Sequence, residues 1–536
     1  MPERERRWNG WGFAGESFPV PAAARAWLAE RLGAGDPLPA IAESEIPVPP
    51  PRPLPVLSAP TLTAPEARLR ASCGHSLPDL LALRTGTVAA FPDAVCFPES
   101  SEQVVEILKA ASAAGVTVIP RGGGTSVVGG VTVRPGARPV VVLSLERLRG
   151  LVRVDTTSQL GTFRAGTLGP EVEAALAPHG LRLGHEPQSF ELSSVGGWVA
   201  TRSAGHRSTG VGKIDELIAG LEVATPAGLW RLPAQPASAA GPELRRLVIG
   251  SEGRLGVITE VTLRVRPLPE CEDGLVVLLP GWAAGVEICR ELLQVGVPLE
   301  VLRLSDPAES SFGTTLVSLS PLAARVSRAL FGLRRYRQGC LLLLGWAGGA
   351  QEVTLARHVA ARVWRAAGGL ALGHAGWRRW RAERFRHPYL RDELLSEGWG
   401  VDTLETAAPW ASLGTVYSAV REAMISAGEG QGLRIAILCH LSHAYRDGAS
   451  LYFTFIWPLA RGAELVQWGA LKGAATEALL SAGGTLSHHH GVGTIHALYL
   501  EREIGSRGVA ALRALSSALD PHGVLNPGVL LPEGDR

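Results

Sequence analysis

Short apolar runs alternate with a helical pattern between residues 89 and 266. The apolar runs read AVCFP, VTVIP, PVVVLSL, ELIAGLEVATP and GVITEVTLRVRP, and each has the length and the β-branched content of a strand. Between the first two runs, residues 101–114 carry apolar positions at the spacing of an amphipathic helix. This mixture of elements predicts an α+β domain over residues 89–267.

The N-terminal part of the chain, residues 1–88, has a different pattern. It begins with Trp8 and Trp11, which we expect to be core anchors because an indole buries a large apolar area. A proline-dense stretch then covers residues 47–60 and cannot hold a helix. We interpret this part as a mostly helical extension with an ordered proline-rich strap.

Two further parts follow the α+β domain. Residues 268–484 alternate strand and helix patterns again, which predicts an α/β substrate domain that covers a ligand as a cap. Residues 485–536 hold the sequence SHHHGVG, then a helical pattern, and then ALDPHGVLNPG. We expect this C-terminal segment to return to the ligand.

Three glycine-rich loops fall within residues 89–267. The first follows a strand in VTVIPRGGGTSVVGG, residues 116–130, and its backbone N–H groups can converge on an anion such as a diphosphate. The others are VGGW at residues 195–198 and GSEGRLG at residues 250–256. The first loop lacks the lysine of a Walker motif and the spacing of a Rossmann fingerprint. One such loop can be a simple turn, but three in one domain favour a single extended ligand.

Composition narrows the class of ligand. The 536 residues are 46% hydrophobic and 19% charged, with a formal net charge of +2, which argues against a disordered chain and against nucleic-acid binding. The six cysteines form no CxxC motif, which is typical of a reducing compartment. The first residues lack the apolar core of a signal peptide, and the apolar runs are too short to span a bilayer. We expect a cytoplasmic protein that binds a small molecule.

Several motifs carry a resemblance to a known family. The sequences IPRGGGTSVVGG, EPQSFELSSVGGWVATRSAG, GSEGRLGVITEVTLRVRP and ALDPHGVLNPG resemble, in this order, the PCMH-type FAD-binding domain of the vanillyl-alcohol oxidase superfamily. Within it, RWNGWG, LRLSD, YLRD, LETAAPW, SLYFTF and LSHHHGVG resemble the alkyldihydroxyacetonephosphate synthase family. The resemblance runs from Trp8 to about Pro527, which is nearly the whole chain.

The resemblance implies a bound FAD in an extended conformation. Thr125 stands where relatives that attach flavin covalently have a histidine, so the FAD should be bound without a covalent link. The residues that the resemblance places at the cofactor are Pro120, Arg121, Gly122, Gly123, Gly124, Thr125, Ser126, Val127, Gln188, Ser189, Ser193, Ser194, Gly197, Thr201, Arg202, Ser203, Ala204, Glu252, Gly253, Leu255, Gly256, Val257 and Ile258.

The resemblance also implies a reaction without net redox change. In the family, the acyl chain of an acylated dihydroxyacetone phosphate leaves as a fatty acid and a fatty alcohol replaces it as an ether. The implied partner is a lipid substrate with a phosphate headgroup, and peripheral membrane contact and a homodimer are options that go with it. Residues 432–447 depart from the family pattern while keeping the spacing to Tyr452, so the tunnel for the chain differs here.

Three single residues match functional positions of the family. Arg391 in YLRD matches the arginine that binds the substrate phosphate, and a guanidinium suits bidentate phosphate binding. The plainer alternative is a surface ion pair between Arg391 and Asp392. Tyr452 matches the catalytic tyrosine, although a tyrosine in an alternating strand is usually part of the core. Arg303 matches an arginine needed for activity, with support of the fold as its alternative role.

The run His488, His489 and His490 is a further catalytic candidate. Three adjacent side chains cannot all point one way, so at most two should reach one pocket. Metal ligands usually lie i, i+4 or farther apart, and we predict no metal here. An unperturbed imidazole has a pKa of ~6.5, which suits proton transfer beside a phosphate. His185 and His440 are weaker candidates, each with a structural alternative.

Two rival functions remain at this point. Many proteins with this flavin domain are FAD-linked dehydrogenases or oxidases of 2-hydroxy acids such as D-lactate or glycolate, because a fold alone does not fix a function. The second rival function is that of a non-enzymatic protein that only binds or stores flavin. The combination of Arg391, Tyr452 and the histidine run favours the ether-forming synthase over both.

Overall fold

Over residues 4–88, the N-terminal part contains three α-helices, one 3-10 turn and one short strand joined by extended chain. The computed structural model describes residues 4–316 and 332–532. The elements of this part are the helices Ala22–Leu32, Pro65–Arg70 and Leu77–Thr85 and the strand β1 (Thr61–Leu62). The proline-dense stretch, residues 47–60, forms no helix, as expected.

Residues 89–267 form a mixed α+β region. Its strands are β2 (Ala94–Cys96), β3 (Thr117–Arg121), β4 (Val140–Ser144), β5 (Leu151–Asp155), β6 (Leu160–Arg164), β7 (Leu181–Arg182), β8 (Ile218–Thr225), β9 (Gly228–Leu232), β10 (Val257–Arg264) and β11 (Arg266–Pro267). Its helices are Ser101–Ala114, Gly169–Leu176, Val195–Thr201, Ser208–Val211, Ile214–Leu217 and Arg245–Val248.

These strands form a small parallel sheet and a larger antiparallel one. The first has the order β1-β2-β4-β3, with β2, β4 and β3 parallel and β1 antiparallel. The second has the order β5-β6-β10-β8-β9, and β11 pairs with β7 separately. All five residues of the central strand β4 are buried, which explains its continuous apolar sequence.

The predicted helix Ser101–Ala114 is confirmed with its boundaries. The Ser100 side chain accepts a hydrogen bond from the N–H of Gln103 and caps the first turn, and Gly115 ends the helix at φ 66°. The chain then enters β3, whose carboxyl end opens into the first glycine-rich loop. The positions of this helix and of β3, which precede the loop, are therefore determined by local sequence signals.

The following part is built on one seven-stranded sheet. Its strands are β12 (Cys271–Leu279), β13 (Val301–Ser305), β14 (Cys340–Gly348), β15 (Leu370–Gly373), β16 (Trp399–Pro409), β17 (Ala436–Ala444) and β18 (Gly448–Pro458). Its helices are Trp282–Val295, Pro307–Leu316, Ala350–Ala366, Ala375–Glu383, Tyr389–Ser396, Trp410–Glu429 and Glu464–Ser481. The order is β15-β12-β14-β13-β17-β18-β16, and all neighbouring strands are antiparallel. Helices pack on this sheet over a large apolar core.

The C-terminal segment returns to the first glycine-rich loop. After the helix Leu500–Leu519, which is interrupted at Gly505, the N–H of Val118 in β3 donates to the carbonyl of Val524 at 2.8 Å. The Asn526 side chain donates to the carbonyls of Gly130 at 3.0 Å and Glu252 at 2.8 Å. The three boundaries between the four predicted parts stay predictions. Within the described ranges, no helix is both long and apolar enough to cross a bilayer.

Candidate active site

One cavity of about 520 Å³ lies between the glycine-rich loops and the seven-stranded sheet. This volume is in the range of sites that hold organic ligands. The loops contribute backbone, hydroxyl groups and glycines to one wall. The strands β16, β17 and β18 and the helices Pro307–Leu316 and Tyr389–Ser396 contribute charged, aromatic and apolar side chains to the other.

Most residues that the sequence assigned to FAD line this cavity. They are Pro120, Arg121, Gly122, Gly123, Gly124, Thr125, Ser126, Val127, Gln188, Ser189, Ser193, Ser194, Gly197, Thr201, Ser203, Ala204, Glu252, Gly253, Gly256, Val257 and Ile258.

Two assigned residues, Leu255 and Arg202, lie elsewhere. Leu255 is buried in the protein core and does not line the cavity. The side chain of Arg202 is exposed and forms an ion pair with Asp215 at 3.1 Å. Neither residue lines the cavity, and the assignment of both to the cofactor stays a prediction.

The first glycine-rich loop packs closely against residues 192–194, which lie in the same cavity wall. A Cβ on Gly123 would lie 1.8 Å from the Leu192 carbonyl oxygen, and a Cβ on Gly122 would lie 2.1 Å from Ser194 Oγ, so both positions require glycine. Arg6 of the N-terminal part donates to the carbonyls of Gly123 at 2.6 Å and Leu192 at 3.0 Å. Arg6 therefore ties the two loops together, a role that its sequence context did not signal.

The residues present fit FAD. Three glycine-rich loops converge on one elongated void, and the hydroxyl groups of Thr125, Ser126 and Ser194 lie in its wall. Among the described residues that line the void there is no cysteine. This wall offers the backbone N–H groups and hydroxyls that a diphosphate needs.

Arg391 presents unpartnered donors beside this wall. Its Nη1 donates to the His75 carbonyl at 2.7 Å, whereas its buried Nε and Nη2 have no partner and no described carboxylate lies within ion-pair distance. The alternative of a surface pair with Asp392 is wrong, because Asp392 is buried and accepts from the Trp11 N–H at 2.6 Å. Trp11 also lines the cavity in addition to packing in a small core.

Positive charge accumulates around Arg391. Burial lowers the pKa of His75 well below its ordinary value, and the nearby guanidinium groups of Arg391, Arg121 and Arg6 lower it further. His75 is therefore neutral, and the guanidinium groups of Arg391 and Arg121 line the cavity beside it. Such positive charge favours an anionic group.

Tyr452 lies on β18 between two polar neighbours. It is paired with Glu405 on β16 and with His440 on β17, and its ring stacks on His440 at 4.9 Å and on His489 at 5.9 Å. It lines the cavity. Burial raises its pKa to about 12, so the phenol keeps its proton at neutral pH and can donate it.

A buried carboxylate, Glu405, holds the histidine run in place. It accepts hydrogen bonds from the backbone N–H groups of His488, His489 and His490 at 2.5, 3.1 and 2.9 Å and from Ser487 Oγ at 2.6 Å. Burial would raise the pKa of Glu405, but the Ser487 hydroxyl and the adjacent histidines, when these are protonated, hold it well below its ordinary value. The loop is therefore anchored through its backbone.

Two of the three histidines face the cavity, as the geometry of adjacent side chains predicted. His489 and His490 line it, whereas His488 lies behind them and contacts Tyr445 and His489. Burial is the main cause that lowers the pKa of each imidazole, so all three are neutral at pH 7.

His443 of β17 joins this group from a distant part of the chain. Ring nitrogens of His443, His488 and His489 lie within 4.8 Å of one another, which is close enough to share an ion. His443 Nε2, however, is 3.0 Å from the Gly205 carbonyl, and the other two rings are hydrogen-bonded to each other. These internal bonds satisfy the group without an ion.

Arg303 belongs to a second polar cluster in the cavity wall. Its Nη2 donates to Glu309 at 2.9 Å and lies 3.1 Å from His440 Nδ1, which is itself 2.8 Å from Glu309. Burial would raise the pKa of Glu309, but His440 and Arg303 lower it strongly. The other weak candidate, His185, is fully buried against Ser203 Oγ and does not line the cavity.

One part of the cavity lining, called here the apolar arm, consists of apolar side chains on and around the helix Pro307–Leu316. Glu309, Phe312, Gly313 and Leu316 lie at i, i+3, i+4 and i+7 and line the cavity as one face of this helix. The apolar residues that also line the cavity from the neighbouring strands and helix are Leu390, Leu394, Val401, Leu438 and Ile456. The cavity thus combines polar groups with a hydrocarbon-lined extension.

Sequence reasoning missed several of these residues. Glu405 had a signal, since it is one of two carboxylates, with Asp402, in the buried strand sequence WGVDTLETAAP. Glu309 and His443 had none, because only the folded chain brings them to the cavity. Arg6 had none either, because only the folded chain brings it to the carbonyls of Gly123 and Leu192.

Comparisons with known proteins agree with this arrangement. The family described as "FAD binding domain" matches residues 92–232, and "FAD linked oxidases, C-terminal domain" matches residues 268–530. The alkyldihydroxyacetonephosphate synthase of Dictyostelium discoideum is 31% identical over 87% of this chain and 77% of its own length. The glycolate oxidase subunit GlcD of Bacillus subtilis is 26% identical over 83% of this chain and 90% of its own length.

A comparison with solved structures points to the same family. An alkyldihydroxyacetonephosphate synthase superposes with a TM-score of 0.85 at 27% identity, covering 97% of this chain and 98% of that chain. The FAD-binding fold and the α+β class predicted from the sequence are confirmed, and the protein is a flavoenzyme with FAD as its cofactor. The chain belongs to the alkyldihydroxyacetonephosphate synthase family.

Proposed function

We propose that this protein exchanges the acyl chain of an acylated dihydroxyacetone phosphate for a fatty alcohol and so forms an ether lipid precursor. One observation carries the proposal: a single cavity contains both the unpartnered donors of Arg391 and the apolar arm along Pro307–Leu316. A substrate with a phosphate at one end and a hydrocarbon chain at the other satisfies both features.

Arg391 is the residue that binds the substrate phosphate in this proposal. Two buried donors without a partner are costly unless a ligand accepts from them. A guanidinium presents Nε and Nη2 in a planar fork that matches two phosphate oxygens. The guanidinium group of Arg121, which lines the same cavity, adds to the attraction for a dianion.

Tyr452 and the histidines supply proton transfer. FAD, when bound, supplies a ring nitrogen that reacts with the substrate without net oxidation or reduction. Tyr452 is a phenol at neutral pH and donates a proton within the cavity, whereas neutral His489 and His490 accept one. Arg303 supports this arrangement because it fixes Glu309 and His440, on which the Tyr452 ring stacks.

The rival function is dehydrogenation of a 2-hydroxy acid. Such a small substrate has no use for the apolar arm, and the relative of that type is the less similar one. The discriminating assay incubates the holoprotein with acyl dihydroxyacetone phosphate and radiolabelled hexadecanol, without an electron acceptor. Label in an ether product supports the proposal. Anaerobic bleaching of the flavin by D-lactate or glycolate with dye reduction, and no ether product, would refute it.

A variant pair tests the phosphate assignment in the same assay. Arg391→Lys keeps the charge but loses the fork, so we expect a KM at least about tenfold higher and partial recovery at high substrate concentration. Arg378→Lys, at an exposed position outside the cavity, is the matched control. An unchanged KM in Arg391→Lys would show that Arg391 does not bind the substrate phosphate.

Peripheral membrane contact and a homodimer stay predictions, to be checked by vesicle cosedimentation and light scattering.

A further inference from the structure

A chain of three hydrogen-bonded side chains leads from the cavity to the half-buried Tyr445. Tyr445 Oη lies 2.6 Å from His488 Nε2, and His488 Nδ1 lies 2.9 Å from His489 Nδ1. His489 lines the cavity at the inner end. Tyr445 is half-buried at the outer end, in the hairpin between β17 and β18, and is followed by the exposed residues Arg446 and Asp447.

Each link of this chain can both receive and pass a proton. An imidazole accepts at one ring nitrogen and donates from the other, and a phenol hydroxyl does both at its oxygen. Because His489 uses Nδ1 for His488, Nε2 is the nitrogen left for a group in the cavity. Burial and the nearby Lys213, whose Nζ donates to the His488 carbonyl, lower the pKa of His488, so it stays neutral and does not trap a proton.

The proposed reaction releases one proton that must leave this buried site. The alcohol O–H bond breaks, a new bond forms between the alcohol oxygen and the substrate carbon, and the bond from that carbon to the acyl oxygen breaks. The acyl group leaves as a carboxylate, which is ionised at neutral pH. The alcohol proton is therefore surplus in every turnover.

We propose that His489, His488 and Tyr445 form the path by which this proton reaches water, an inference that rests on the proposed function. His489 takes the alcohol proton at Nε2 and passes its Nδ1 proton to Nδ1 of His488. The Nε2 proton of His488 moves to Tyr445 Oη, and the hydroxyl proton of Tyr445 moves to bulk water. No oxidant, reductant or further reactant is needed.

The Tyr445 hydroxyl is not required to hold the histidine loop. Glu405 already binds the backbone N–H groups of His488, His489 and His490, and Gly491 N–H donates to Ser487 Oγ at 3.0 Å. Removal of one hydroxyl at the rim should leave this anchoring intact. A proton path and a purely structural bond therefore predict different results for Tyr445→Phe.

The test compares Tyr445→Phe with Tyr336→Phe in the acyl-exchange assay. Tyr336 also donates a buried hydroxyl hydrogen bond, to the Gly368 carbonyl at 3.0 Å, but lies outside the cavity, and its variant should keep the parent rate. We expect Tyr445→Phe to retain FAD, to match the melting temperature of the control, and to lose about 10- to 100-fold in kcat with little change in KM. Added imidazole, a small proton carrier, should restore part of the rate, and the solvent deuterium isotope effect should rise.

Three outcomes overturn the inference. A parent-like kcat in Tyr445→Phe means that the proton leaves elsewhere. A loss of rate that imidazole does not restore, accompanied by loss of FAD, means that Tyr445 is structural. If the parent protein forms no ether product at all, the proposed function fails and the inference falls with it, which separates that failure from the other two.

Discussion

Gly313 offers a direct test of the hydrocarbon arm. It lies inside the helix Pro307–Leu316 and lines the cavity, and a Cβ built there meets no described atom within 4 Å. A glycine in a helix interior costs about 0.5–1 kcal/mol relative to alanine. We therefore expect Gly313→Leu to place its side chain in the arm and to raise the stability of the helix.

The size of the effect follows from the carbon atoms displaced. A leucine side chain takes the place of about four methylene or methyl groups of a bound chain, each worth about 0.8 kcal/mol of burial. The loss of about 3 kcal/mol corresponds to about a 100-fold lower kcat/KM for hexadecanol. Butanol, which ends before the obstruction, should keep its parent kcat/KM.

The assay measures kcat/KM for acyl exchange with alcohols from four to eighteen carbons (about one length per two carbons), together with the melting temperature. Gly414→Leu is the matched control, because Gly414 is an exposed helical glycine with the same free space but lies outside the cavity. An unchanged chain-length profile in a stable Gly313→Leu protein would show that the chain does not run along this helix, and the magnitude argument would be refuted.

Three further predictions concern the polar half of the cavity. Tyr452→Phe should keep FAD and KM while kcat falls by on the order of 10², since only a proton donor is removed; parent-like turnover would make Tyr452 a core residue. Denaturation by acid or heat should release FAD into the supernatant, whereas flavin absorbance that stays with the polypeptide would contradict non-covalent binding. Burial raises the pKa of Glu252 to about 7, although the hydrogen bonds from the backbone N–H groups of Val492 and Gly493 oppose this shift. The folded state therefore favours the protonated carboxyl group. Its contribution to stability is present below pH about 4.5 and lost as the pH rises through 7. The melting temperature should therefore fall between pH 5 and 8 in the parent and less in Glu252→Gln, and equal slopes would refute this.

The sequence by itself determined the elements whose signals are local. The helix Ser101–Ala114 has its capping serine and its terminal glycine within the same window, and the buried strand β4 shows its burial in its composition. The three glycine-rich loops likewise predicted a shared ligand, because glycine is needed wherever backbones approach closely. The resemblance added the family, whereas the roles of Arg391, Tyr452, Arg303 and the histidines stay predictions.

Only the tertiary structure decided which side chains meet. Glu405 binds the His488 N–H from 83 positions away, and Arg6 reaches the Gly123 carbonyl from 117 positions away. The alternating pattern of β18 cannot tell whether Tyr452 faces the core or a cavity, since period two gives only two faces and not what covers them. The pairing of β18 with β16 and β17 placed Tyr452 between Glu405 and His440. Such contacts depend on strand order and loop closure over long separations, which no local pattern of residues encodes.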